Sequence, residues 1–240
     1  GGNTNNSVIN LSSIPVGQSP GAVAVAGNYA YVVNTNDNDM QIFNISDPAN
    51  VVQVGSNIPT GSGPWGVAVS GNYAYVINYN ASTLQIFNIA DPTNVTQVGS
   101  DIATDSGPNG VAVSGNYVYV VNYDASTLQV FDVSNPANVT QVGSNMPIGS
   151  EPWGATIAGN YLYVTETGAD QMQIFNIADP TNVTQVGSNV TTGTESTGVA
   201  VGGNYAYAIT DASDIGIFDV SNLTHVTQVG TVPITNNYGG

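Results

Sequence analysis

Apolar and polar positions alternate along this chain in short bursts, and no segment repeats every 3.6 residues, so strands rather than helices are predicted nearly throughout. The bursts keep one order. In the copy that is easiest to read, Gly66–Ser70 is a short apolar strand closed by a turn at Gly71-Asn72, and Tyr73–Asn78 alternates aromatic or β-branched residues with smaller ones. Leu84–Ile89 forms a third strand, and Asp91-Pro92-Thr93-Asn94 a turn in which the fixed φ of proline helps. Val95–Ile102 is the fourth strand, ending at a Gly/Ser/Pro-rich connection.

The order recurs five times, from Gly21, Gly66, Gly110, Gly154 and Gly198, at spacings of 45, 44, 44 and 44 residues. All five Phe keep the period, at Phe43, Phe87, Phe131, Phe175 and Phe218, and ten of the thirteen Tyr keep it in pairs such as Tyr29/Tyr31. Four strands per copy admit blades around an axis or a linear stack. Leu84 and Ile86 fall on one face of the third strand, Phe87 and Ile89 near or on the other, which suits a blade covered on both sides. The reading is all-β, a five-bladed β-propeller of 44-residue four-stranded repeats. It forms one domain over 1–240, with repeats at 21–65, 66–109, 110–153, 154–197 and 198–240 and one surplus strand within 1–20.

The run Met40-Gln-Ile-Phe-Asn-Ile-Ser-Asp-Pro-Ala-Asn50, followed by Val54-Gly55, resembles the LVIVD repeat family of bacterial and archaeal surface proteins. Leu84–Asn94, Leu128–Asn138 and Met172–Asn182 match equally well, as does the Gly-Asn-Tyr-Ala-Tyr-Val strand upstream. The resemblance implies a propeller and an extracellular setting, and it carries no catalytic signature to transfer. The family's usual Asp after the third strand's apolar core is Asn44, Asn88 and Asn176 here and survives as Asp132 and Asp219. The fifth copy replaces the Asp-Pro turn by Asn222-Leu223-Thr224-His225.

Composition narrows the function. Lys and Arg are absent, Asp plus Glu number 16, and the formal net charge is −16. Nucleic acid and anionic lipid both require cations that this chain lacks. No Cys means no disulfide, no thiolate nucleophile and no Cys-bound zinc. The longest apolar runs are strand-length, so no membrane insertion is expected. The absence of trypsin-type cleavage sites and the Gly-Gly start suit a processed, secreted protein of the cell surface. Sixteen carboxylates with almost no counter-charge predict that mutual repulsion raises their pKa values on folding.

Candidate chemistry is sparse. His225, the one histidine, sits in a turn, and the carboxylates Asp124, Glu151, Glu166, Asp170, Glu195, Asp211 and Asp214 are scattered singly. No pair stands out for acid–base work, so no enzyme and no cofactor are expected. Asp37 and Asp39, in the hairpin loop Asn36–Asp39, offer the oxygen donors calcium prefers. Asn94, Asn138 and Asn182 are sequon positions in one repeated turn and would accept glycans. Trp65 and Trp153, both in Pro-Trp-Gly, read as packing plugs or as a stacking platform near the axis.

The termini carry the functional expectation. Val8–Val16 aligns with the fourth strand Val95–Ile102, yet the last repeat already owns Val226–Ile234. The surplus strand, with Val8, Ile9, Asn10, Leu11, Ile14 and Val16, would pair with a neighbouring molecule's blade edge. The expected partner is the protein itself. It would be an extracellular structural protein that self-assembles into a filament or surface layer. The alternative is a monomeric cell-surface adhesion module that recognises carbohydrate or protein through a propeller face.

Overall fold

The computed structural model describes residues 13–210 and 214–234. It contains five antiparallel sheets in chain order, and no helix occurs among the described residues. The chain is a five-bladed β-propeller. In blade 2 the inner strand is Pro64–Ser70, followed by Tyr73–Asn78 and Thr83–Asn88. Each of the inner strands of blades 1 to 4 starts at its Pro, at Pro20, Pro64, Pro108 and Pro152, rather than at the glycine that marks the sequence repeat. Gly71, at φ +56°, supplies the tight turn between the first two strands, a conformation that glycine reaches without a Cβ clash.

The expected fourth strand is corrected in three blades. In blade 2 it splits into Thr96–Gln97 and Ile102–Ala103, which pair with the two ends of the third strand. Blades 1 and 4 split in the same way, whereas Thr140–Pro147 of blade 3 and Thr227–Pro233 of blade 5 are continuous. Between the two pieces the chain bulges at Gly99, at φ +70°, and the Asp101 carboxylate turns inward to side-chain amides.

Register explains why the phenylalanines fit. Phe87 lies opposite Ala74, and Phe43, Phe175 and Phe218 lie opposite Ala30, Leu162 and Ala206, all five Phe being buried. Period-two alternation then gives every blade two apolar faces. One bears the second tyrosine of the pair and the Leu84/Ile86 positions; the other bears the Phe. Tyr31, Val33, Met40 and Ile42 of blade 1 pack on Val76, Phe87 and Ile89 of blade 2. Tyr75, Ile77, Leu84 and Ile86 of blade 2 pack on Val118, Val120 and Phe131 of blade 3. The pattern repeats between blades 3 and 4 and between blades 4 and 5. Every junction joins a tyrosine face to the next blade's phenylalanine face.

A buried polar ladder runs through the first four blades. The side-chain oxygens of Gln41, Gln85, Gln129 and Gln173 accept the backbone N–H of Gly17, Gly61, Asp105 and Gly149 at 2.8, 2.8, 2.8 and 3.1 Å. Their amide nitrogens donate outward to Gln53, Gln97, Gln141 and Gln185. Each blade is thus tied to the connector that precedes it. Blade 5 has Gly216 at this position, where a Cβ would approach the Phe218 ring to 2.8 Å.

Candidate functional site

Among the described residues four junctions join the five blades, and two faces are left over. The inner strands of consecutive blades touch from blade 1 through blade 5, but those of blades 5 and 1 make no comparable contact. No apolar cluster joins these two blades among the described residues. The phenylalanine face of blade 1 shows Val23 63% exposed, against 8% for Val67, its repeat equivalent. Phe43 itself is buried, so the bare part of this face is the inner strand with Val23 and Val25. The tyrosine face of blade 5 shows Ile209 47% exposed, against 0% for Ile77. Tyr205, Val229, Val232 and Ile234 are exposed on the same blade. Sequence reasoning missed this gap.

A second feature lies where the inner strands of blades 2 to 4 begin. Trp65, Tyr79, Tyr123 and Trp153 form a cycle of rings. Successive centroids stand 6.1, 6.5, 5.6 and 5.9 Å apart, closing from Trp153 back to Trp65. All four, with Thr35, Asn80 and Asn109, line a pocket of about 350 Å³. The buried Asn109 donates to the Trp153 carbonyl at 3.1 Å and braces it. At the rim the Tyr79 hydroxyl donates to Asp124 at 2.9 Å, and burial together with the nearby Glu151 carboxylate raises the pKa of the Tyr123 hydroxyl. Burial and the Asp124 hydrogen bond push the Tyr79 hydroxyl up to about 12. The tryptophans were read from sequence; Tyr79 and Tyr123 were not, although they lie one period apart and outside the ten paired tyrosines.

The remaining candidates are placed as follows. Asp37 accepts the Gln18 N–H, and Asp39 accepts from Asn34 and Asn57 at 2.7 and 2.6 Å, so both carboxylates serve amide donors of blade 1 and of the connector before it. No group of three or more metal-binding side chains occurs among the described residues. Val8, Ile9, Asn10 and Leu11 lie outside the described residues, as does Asp211. Ile14 is half-buried and Val16 exposed; neither is in a strand. Asn94, Asn138 and Asn182 are exposed, each closing its turn through a backbone hydrogen bond to Asp91, Asn135 and Asp179. His225 closes the equivalent turn of blade 5 and is exposed.

Four carboxylates move against the direction that mutual repulsion predicts. Asp91, Asp132, Asp179 and Asp219 are held below the ordinary value by hydrogen bonds within their own turns, from Thr93, Ser134, Thr181 and Ser221. Local donors outweigh long-range repulsion because these exposed charges are screened by solvent. Glu166 moves the other way. It stands where blades 1 to 3 carry Asn34, Asn78 and Asn122, is buried, and has its pKa raised by desolvation. A pocket of about 600 Å³ between blades 4 and 5 offers no ionisable side chain other than Tyr161 and Tyr163.

Comparison with known proteins agrees with the architecture. No curated protein matches the sequence. Among solved structures the chain resembles the computationally designed Ika8 protein, at TM-score 0.69 and 14% identity. That match covers 89% of this chain and 61% of the designed one, so the chain spans about three fifths of that protein's length. A functionally unknown protein from Desulfotomaculum acetoxidans is similar at TM-score 0.76 and 17% identity, over 91% of this chain and 71% of its own. The periplasmic gluconolactonase of Pseudomonas aeruginosa gives TM-score 0.75 and 16% identity, over 91% and 72%. At such identities the likeness is one of fold. The LVIVD repeat pattern matches at residues 19–57, 63–101, 108–146, 153–191 and 193–233, and with five matches spread over the five blades the chain belongs to the LVIVD repeat family.

Proposed function

We propose that this protein is an extracellular structural subunit that assembles head to tail into a filament or surface layer. The tyrosine face of blade 5 in one copy would pack on the phenylalanine face of blade 1 in the next. The observation that supports this is the exposure of Ile209, whose repeat equivalents Val33, Ile77, Val121 and Thr165 are all buried, and of Val23, whose equivalents are buried at Val67 and half-buried in the other blades. Each bare surface is half of an interface that the chain forms four times internally, so the two are complementary to each other rather than to themselves. A contact between unlike surfaces does not close at two copies and propagates instead.

In the same reading residues 8–16 add a strand to a neighbour's blade. Thr140–Pro147 and Thr227–Pro233 are the better acceptor edges, because they are continuous where blades 1, 2 and 4 have broken outer strands. Secretion, and glycans on Asn94, Asn138 and Asn182, belong to this reading; a cofactor does not. We assign no catalytic role, since the gluconolactonase likeness carries fold alone. Negative-stain microscopy over a range of concentrations tests the proposal. Uniform fibres support it, and isolated discs of ~40–50 Å, the size expected of one compact domain, contradict it.

A further inference from the structure

From the aromatic pocket we infer a binding site for a trimethylammonium group, independent of the assembly contact. Four aromatic rings from three blades surround one space, and neighbouring rings meet at interplanar angles of 51° to 84°, as the walls of a box do. Centroid spacings of 5.6 to 6.5 Å around the cycle place its centre roughly 4 Å from each ring. That is within the ~6 Å over which a ring's quadrupole attracts a cation.

Charge favours the same ligand. Asp124 accepts a hydrogen bond from the Tyr79 hydroxyl that polarises the ring toward negative charge, and the carboxylate of Glu151 lies near enough to Tyr123 to add to burial in raising the pKa of its hydroxyl. The chain has no Lys or Arg, so no side chain of its own can fill the box with a fixed cation. A net charge of −16 attracts cations and repels anions.

A sugar fits the lining less well. Of the polar groups there, Thr35 already donates to the Pro64 carbonyl and Asn109 to the Trp153 carbonyl. The Asn80 amide and the two indole N–H groups are then the donors in the lining for a ring of hydroxyls, and no carboxylate lines it to accept from them.

Both tryptophans of the chain are in this pocket, so fluorescence excited selectively at tryptophan reports on it. Choline is titrated against 3,3-dimethyl-1-butanol, its neutral isostere, and against a methyl glycoside. We expect a saturable change with choline and a roughly tenfold weaker response to the isostere. Phosphocholine and trimethyl-lysine amide, titrated in parallel, distinguish a lipid-type headgroup from a modified side chain as the source. Trp153→Leu should weaken choline binding about tenfold, and Glu151→Gln, which keeps every ring, should weaken it severalfold. Equal binding of the isostere, saturation by the glycoside alone, or no saturable change with choline would each overturn the assignment.

Discussion

Tyr163 and Tyr207 occupy the same position in consecutive blades, yet Tyr163 is 3% exposed and Tyr207 38%. The difference is a missing neighbour. Tyr163 is covered by Ala206, Ala208 and Phe218 of blade 5, and no following blade covers Tyr207.

The same contrast makes a prediction at the position two residues on. Ile77→Ala empties a site buried between blades 2 and 3 and should cost ~2–5 kcal/mol, as large-to-small core changes do. Ile209→Ala removes a side chain exposed on blade 5 and should change the isolated subunit by ~0.5 kcal/mol or less. Urea unfolding of both variants, at concentrations where the protein is monomeric, checks the pair. Equal losses would mean that the tyrosine face of blade 5 is covered within the subunit.

The glutamine ladder predicts a large effect for a swap of similar size. Gln85→Leu leaves the Gly61 N–H and the Asn78 amide without their shared acceptor and frees Asp101 from one donor. Each buried group left unpaired costs ~1–3 kcal/mol, so the variant should lose at least that much despite the added apolar volume. A melting temperature equal to that of the parent would show that water replaces the amide at no cost.

The pH dependence has two opposing parts. Asp91, Asp132, Asp179 and Asp219 have lowered folded pKa values, so the stability they lend is present above the ordinary aspartate value and is lost as pH falls through the lowered ones. Glu166 has a raised folded pKa; its contribution is complete below the ordinary glutamate value and declines as pH rises through the folded one. The melting temperature should therefore fall between about pH 5 and about pH 2. Glu166→Gln should raise it near neutral pH and leave it nearly unchanged in acid. A gain confined to acid pH would contradict the assignment of Glu166.

Much of the fold was legible because a repeat states its own geometry. The phenylalanine period located the third strands, and the Leu84/Ile86 and Phe87/Ile89 sets separated as expected, toward blades 3 and 1. The gap beside blade 1 was not legible, since a repeat fixes what one blade looks like and not the angle at which five of them meet. Gln41, Gln85, Gln129 and Gln173 also kept the period, but a lone polar residue in an apolar strand does not announce which backbone N–H it will meet. The pocket was half visible: Trp65 and Trp153 stood out by rarity, while Tyr79 and Tyr123 were hidden among thirteen tyrosines, and only the fold brings their rings against the tryptophans.

The most direct test of head-to-tail assembly uses two variants, each spoiling one face. Val23→Asp places a charge on the bare strand of blade 1, and Ile209→Asp places one on the bare face of blade 5. Analytical ultracentrifugation of the parent protein should show oligomers that lengthen with concentration, and each variant alone should sediment as a monomer. Mixed in equal amounts, the two variants should form a dimer and nothing larger, because one intact face of each kind remains. A parent protein that stays monomeric at every concentration, or variants that do not combine when mixed, would contradict the account.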